Sequence, residues 1–393
     1  MTGAAITNGG ALAGVRVLDV SAAVAGPFTT SQLADQGADV ISVEPVDRPD
    51  VLRLTGPVVG DVSGAWVAMN RSKRAIALDL RSPRGRELAL LLADRADVFV
   101  QNWRPGVAER LGLGYAELAA RNPRLVYVSV SGFGPDGPYA DQPVYDPIIQ
   151  ATAGVVAGQG GDFVKNVFAD KITAMTAANA ALSALVARAA TGLGQHVQVN
   201  MLDATMAFLW LDMFWNHTIA AAPHAPTYTE WYEPFTTADG QLALAWPTDD
   251  RFRRACEGLG RPELALDPRF ATRAERVLNA QALLEECRPT FAALRTADAL
   301  AVLRAADVPC APVQDLDQVL ADPQVAHNQL IETYEHPSAG PVRALRPPAR
   351  LSATPPPRQR PAPGFGQHTD EVLGELGLSA GEIAALRAER IVA

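Results

Sequence analysis

The chain has 393 residues, 48% of them hydrophobic and 20% charged, with a net charge of −9. That length exceeds one compact core and points to two domains of an ordinary globular protein. The acidic balance argues against a nucleic-acid partner and against a basic membrane-binding face.

The first residues, MTGAAITNGGALAG, lack a basic stretch and read as a frayed end, not a signal peptide. VRVLDV (15–20) reads as a strand, a helical pattern follows from Pro27 to Ala34, and DVISVEP reads as a second strand. AIALDL, DVFVQN and LVYVSV are further strands, alternating with helical segments such as Pro83 to Arg95. The pattern predicts a doubly wound, Rossmann-like α/β domain. No G-x-G-x-x-G follows the first strand, where the turn is SAAVAGP, so a dinucleotide site is rejected. A long run of good helix formers begins near Asp170. Its most apolar part, Thr173 to Ala187, reads as too short to span a bilayer.

Beyond Met201 the chain is rich in aromatics, from Phe208 to Phe235. QLALAW reads as a strand, and Asp249 to Leu259, Ala280 to Leu294 and Ala297 to Ala306 read as helices, which gives a small α/β domain. The stretch from His336 to Gly366 is Pro-rich and irregular, and Thr369 to Arg390 is helical in pattern. The expected division is a large domain over 1–205, a linker over 206–227, a small domain over 228–322, a return linker over 323–362, and a C-terminal part of the large domain over 363–393.

Cys256, Cys287 and Cys310 have no metal-type spacing and no even count for a disulfide framework, so a reducing cytoplasm is the simplest compartment. The six histidines form no metal-ligand cluster, so no metal is expected. His196, in GQHVQV, reads as a structural strand residue, and His368 reads as a helix-start residue. The 34 Lys and Arg include only three Lys, of which Lys165 and Lys171 flank Asp170. A nearby cation would favour an ionised carboxylate.

The stretch VFADKITAMTAANAALSALVARAATGLGQHVQVNMLD (Val167 to Asp203) resembles the D-x-x-x-G/A … A-x-x-x-R-x-x-T-G-x-G-Q signature of the class III CoA-transferases, the CaiB/BaiF family. Colinear likenesses run from Gly14 to Pro45, Met69 to Gly85, Ala96 to Asp146 and through the tail GFGQHTDEVLGELGLSAGEIAALRAERIV. The resemblance implies that Asp170 is a covalent nucleophile that moves CoA from an acyl-CoA to a free carboxylic acid, through anhydride and aspartyl-CoA thioester intermediates. A serine or cysteine usually needs a base, whereas a carboxylate ionised at neutral pH needs none. CoA enters as a substrate, with no tightly bound cofactor expected.

Carried over by resemblance, Val24 and Ala25 line the pantetheine end. Leu78, Asp79, Leu80 and Arg81 hold the nucleotide, and Asn102, Trp103, Arg104 and Arg110 complete its site. Tyr145 and Asp146 sit near the thioester end. Pro45 and Pro143 stand where some relatives carry a basic residue, and the glycine-rich loop of some relatives has no counterpart after residue 235. The resemblance also implies a homodimer of two open rings threaded through each other. Two rival readings are an acyl-CoA racemase of the same fold, which has a His where this chain has Tyr145, and a silent CoA-binding subunit.

Overall fold

The computed structural model describes residues 9–225, 232–246 and 248–393. The frayed end expected over residues 1–8, Trp231, and the expected small-domain start at 228 lie outside them. Two compact units emerge: residues 1–208 with 329–393, and residues 209–328.

The first unit is built on six parallel strands: β1 (Arg16–Asp19), β2 (Asp39–Glu44), β3 (Lys73–Ala77), β4 (Val98–Gln101), β5 (Val126–Ser131) and β6 (His196–Asn200). Their order is β3-β2-β1-β4-β5-β6. The Val- and Ile-rich runs form strands because both faces of a parallel sheet are covered and a β-branched side chain packs well there. Against one face lie α1 (Ala25–Asp35) and α5 (Phe168–Thr191). Leu33 of α1 and Ala177, Ala181 and Ala184 of α5 pack there with Val17, Val98, Val100 and Val128. The opposite face buries Leu18, Phe99 and Tyr127 under α2 (Pro83–Asp94), α3 (Tyr115–Arg121) and the C-terminal helices α6 (Thr369–Glu375) and α7 (Ala380–Ala388). Each fully buried Leu or Phe contributes about 1.5–3 kcal/mol.

Three sequence expectations change. The tail is two helices, not one. Gly377, at φ +98°, turns the chain after α6, and Ser379 opens α7 with a capping box to Glu382. The Pro-rich return segment is not wholly irregular, since Ile331–His336 and Gly340–Leu345 pair as an antiparallel hairpin. The helix α5 has 24 residues and is long and apolar enough, by length and composition alone, to cross a membrane. The sequence reading stopped it short at Arg188, whereas Arg188 is accommodated by an ion pair to Asp97 at 2.9 Å and the helix runs to a Gly192 cap.

The second unit holds a three-stranded antiparallel sheet, with Gln241–Leu244 between Phe235–Thr236 and Cys310–Pro312. Helices Asp249–Gly258, Ala280–Ala292 and Thr296–Ala305 bury Phe252, Phe291 and Leu303 with Phe235 and Leu242.

Candidate active site

In an open parallel sheet the ligand crevice lies beyond the carboxyl ends of the strands, where the strand order reverses. Here that point falls between β1 and β4. The loop after β1 (residues 20–24) and the loop after β4 (residues 102–106) therefore flank it. Asn102 ties the two together: its side chain accepts the Ala22 N–H at 2.9 Å and donates to the Ala22 carbonyl at 2.7 Å. Gly26 lets them close up, because a Cβ there would sit 2.2 Å from the Ser21 side chain.

The helix α1 starts at Ala25 with no capping side chain. Its first amides therefore have no partner within the helix. One turn into α1 the Thr29 hydroxyl donates to the Ala174 carbonyl of α5 at 3.4 Å, so the two helix starts lie side by side, and the Ala25 N–H stands near enough to the Asp170 carboxyl to favour its anion. That aspartate stands in the first turn of α5, which also lacks a cap from its own N-cap residue, Val167. The missing cap comes from α4 (Asp146–Thr152): Asp146 Oδ2 accepts the Asp170 N–H at 3.0 Å. Asp146 is buried, and its Oδ1 accepts from Gln150 Nε2 at 2.6 Å. Gln150 also binds the carbonyls of Val164 and Asn166 and the Val164 N–H, which fixes the chain leading into α5.

Two helix starts thus converge on one partly buried carboxyl. Their dipoles favour the anion by about 0.3–1 kcal/mol each. Burial first, and then the charge of Asp146, oppose it and push the Asp170 pKa up to about 7; the Ala25 amide pulls it part of the way back. Burial and Asp146 thus work against the fully ionised carboxylate expected at neutral pH. The flanking lysines do not prevent this, for neither Lys165 nor Lys171 is among the groups that act on it.

The other expected residues divide. Trp103 and Arg104 line a cavity of about 250 Å³ at the ends of β4, β5 and β6, together with His196, Gln198 and Asn200. Arg110 lies over Gly106, its guanidinium 3.1 Å from where a Cβ would stand. Among the described residues, neither Arg104 nor Arg110 makes an ion pair. Arg81 is exposed but already engaged, by Asp47 at 2.9 Å and Asp79 at 3.0 Å. Leu78 points into the core, its N–H is bonded to the Glu44 carbonyl and its backbone bridges to Val392. Asp79 is tied by its amide to the Ile391 carbonyl, and Leu80 packs against the same core. Val24 is the N-cap of α1, and the Tyr145 phenol is exposed. His196 stacks on Tyr115 at 4.7 Å and hydrogen-bonds Ser129 at 2.8 Å, a structural setting. His368 stands at the N-cap of α6.

Asp146, expected near the thioester end, also caps the helix that carries Asp170. Its partner is 24 positions away, so no local spacing reveals it.

A doubly wound sheet with an aspartate at its ligand crevice, fed by two helix starts, defines an α/β enzyme architecture equipped to receive negative charge. The comparisons say which one. The CoA-transferase family III model matches residues 12–369. The acetyl-CoA:oxalate CoA-transferase of Acetobacter aceti is 36% identical over 359 residues, which span 88% of this chain and 91% of that protein. The succinyl-CoA:glutarate CoA-transferase of Homo sapiens is 32% identical over 378 residues, spanning 93% and 86%. The crystal structure of a CAIB/BAIF family protein from Brucella suis superposes with a TM-score of 0.81 at 32% identity, covering 94% of this chain and 100% of that one. The chain belongs to CoA-transferase family III and is an enzyme of that class.

Proposed function

We propose that the enzyme transfers CoA from an acyl-CoA to a free carboxylic acid through covalent intermediates on Asp170. The observation that carries this is the place of Asp170 in the first turn of α5 where the start of α1 packs beside it.

The ionised Asp170 attacks the thioester carbonyl and expels the CoA thiolate, leaving an aspartyl-acyl anhydride. The thiolate attacks the aspartyl carbonyl and releases the donor's acid as a carboxylate, leaving an aspartyl-CoA thioester. The acceptor carboxylate attacks that thioester, the thiolate leaves again, and a second mixed anhydride forms. Thiolate attack on the acceptor's acyl carbon yields the product and regenerates Asp170. Negative charge builds on oxygen beside Asp170 in each step, where an amide fixed at a helix start stabilises it without reorganising.

In this reading Arg104 and Arg110, both free of ion pairs among the described residues, meet CoA phosphates, and Trp103 lines the same cavity. Arg81 joins them only by giving up Asp47 or Asp79. The acids named for the relatives above, oxalate and glutarate, are the first acceptors to assay. Asp146 makes a poor second base for an epimerase, because both its oxygens already accept hydrogen bonds. The protein acts as a homodimer. Supporting this, α5 exposes Met175 and Val186 on its outer face, and Phe208, Trp210 and Leu211 are exposed further along the chain. The experiment that tests the mechanism is detection of an acyl or CoA adduct on residue 170 during turnover, and its loss in Asp170→Ala.

A further inference from the structure

Lys73 is the one lysine of the three that is fully buried, in a chain whose 34 Lys and Arg are nearly all Arg. Its ammonium has three N–H groups and finds three oxygens: the Pro27 carbonyl at 2.8 Å, Asn70 Oδ1 at 2.9 Å and Asp19 Oδ2 at 3.2 Å. Asp19 is equally buried. Its Oδ1 accepts the Ser21 N–H at 3.0 Å and the Ser21 hydroxyl, and its Oδ2 also accepts the Thr30 hydroxyl. A tetrahedral ammonium fits such a niche. A planar guanidinium with five donors does not, which gives a physical reason for Lys at this position.

The two partners grip the segment that carries Ala25 from both ends. Asp19 holds Ser21 where the loop leaves β1, and Lys73 holds Pro27 in the first turn of α1. Between these anchors Ala23 sits at φ +61°, a conformation an alanine rarely adopts, with its amide fixed by Asp50 Oδ2 at 2.8 Å. Burying an ion pair is a weak way to stabilise a fold. A device that fixes a strained loop next to the reacting carboxyl accounts for keeping it.

We infer that Lys73, paired with Asp19, is a positioning residue that holds the Ala25 amide in place against the Asp170 carboxyl during acyl transfer. The inference rests on Asp170 being the nucleophile. Lys73 is fully buried and makes no contact with Asp170, so its loss slows the covalent step far more than it weakens CoA affinity, which in this reading rests chiefly on the phosphate contacts. The charged and polar groups facing Asp170 are Asp146 from α4 and the Ala25 amide from α1. Those around Lys73 are Asp19, Asn70 and the Pro27 carbonyl in contact, with Asp35, Asp50 and Arg71 beyond them.

The test compares Lys73→Met, Lys73→Arg and the double variant Asp19→Asn/Lys73→Met, which removes both buried charges together. Leu88→Ala, in the core on the opposite face, controls for lost stability. Acylation of Asp170 is followed in single turnovers across pH, and CoA binding by titration. The expected result is at least a tenfold slower acylation in all three, an acid limb displaced to higher pH, and a Kd for CoA within about threefold of the parent. Leu88→Ala keeps the parental limb. Where Lys73→Met does not fold, the double variant decides. A parental rate and limb in the folded variants overturns the inference, as does an equal displacement in Leu88→Ala. Failure of the underlying mechanism looks different: the parent itself forms no adduct.

Discussion

Asp146 Oδ2 accepts the backbone N–H of Asp170 at 3.0 Å, so a buried carboxylate serves as the helix cap of the residue it also repels. The contact has opposite consequences at two atoms. It satisfies an amide at the start of α5, and it sets a negative charge beside the side chain that must itself ionise. Burial and Asp146 raise the carboxyl's pKa, while the amide at the start of α1 favours its anion.

The rate should follow that balance. With Asp170 raised to about 7, kcat/KM for the acyl-CoA should fall about tenfold per pH step below that value, as the nucleophile becomes protonated. Asp146→Asn keeps an oxygen for the Asp170 amide but removes the charge, so the limb should move to lower pH. A pH profile of kcat/KM for the two proteins checks this; a limb that stays put in Asp146→Asn would show that burial alone sets the value.

Stability should run the other way from the usual aspartate. A folded pKa above the unfolded value of 3.8 means that the native state binds more protons between pH 4 and 7, so this group makes stability fall as pH rises through that window. Asp170→Asn removes the cost. It should stabilise the protein at pH 8 by on the order of 2–4 kcal/mol, with the gain fading toward pH 4. Thermal melts of both proteins at pH 4.5, 6 and 8 measure it, and a Tm difference independent of pH contradicts the burial argument.

CoA affinity should depend on the arginines unequally. Arg104→Ala and Arg110→Ala should each weaken CoA binding about tenfold, from loss of charge-assisted phosphate bonds worth roughly 1.5–3 kcal/mol. Arg81→Ala should cost less, because its guanidinium must first leave Asp47 and Asp79. Binding should also weaken with salt. Titration calorimetry at two salt concentrations gives all of these, and equal, negligible effects from all three variants would place the nucleotide elsewhere.

Much of the fold was legible in the sequence, and the contacts around Asp170 that were not have a common cause. The strands read correctly because their Val- and Ile-rich runs are covered on both faces, and Ser379 with Glu382 could have split the tail helix, as Gly377 could. Asp170 stood out through its surrounding motif. Its protonation did not, because a pKa set by burial and by Asp146 is a property of packing, not of neighbours in the chain. The engagement of Arg81 by Asp47, 34 positions away, and the fit of Lys73 beneath the loop after β1 are likewise contacts between residues distant in sequence.

The proposed dimer has its own consequence. Two rings threaded through each other exchange subunits only when a ring opens, so mixing two differently tagged preparations should yield no hybrids over days in native buffer. Hybrids within minutes, or a monomer by light scattering at micromolar concentration, would rule the threaded arrangement out.

The central claim is tested most directly by trapping. The enzyme is incubated with acyl-CoA, treated with hydroxylamine, digested, and residue 170 is read by mass spectrometry. The account predicts a hydroxamate on Asp170 that requires prior addition of acyl-CoA and is absent from Asp170→Ala, which should be folded and inactive. Hydroxamate at a different carboxyl, or near-normal turnover by Asp170→Ala, would contradict it.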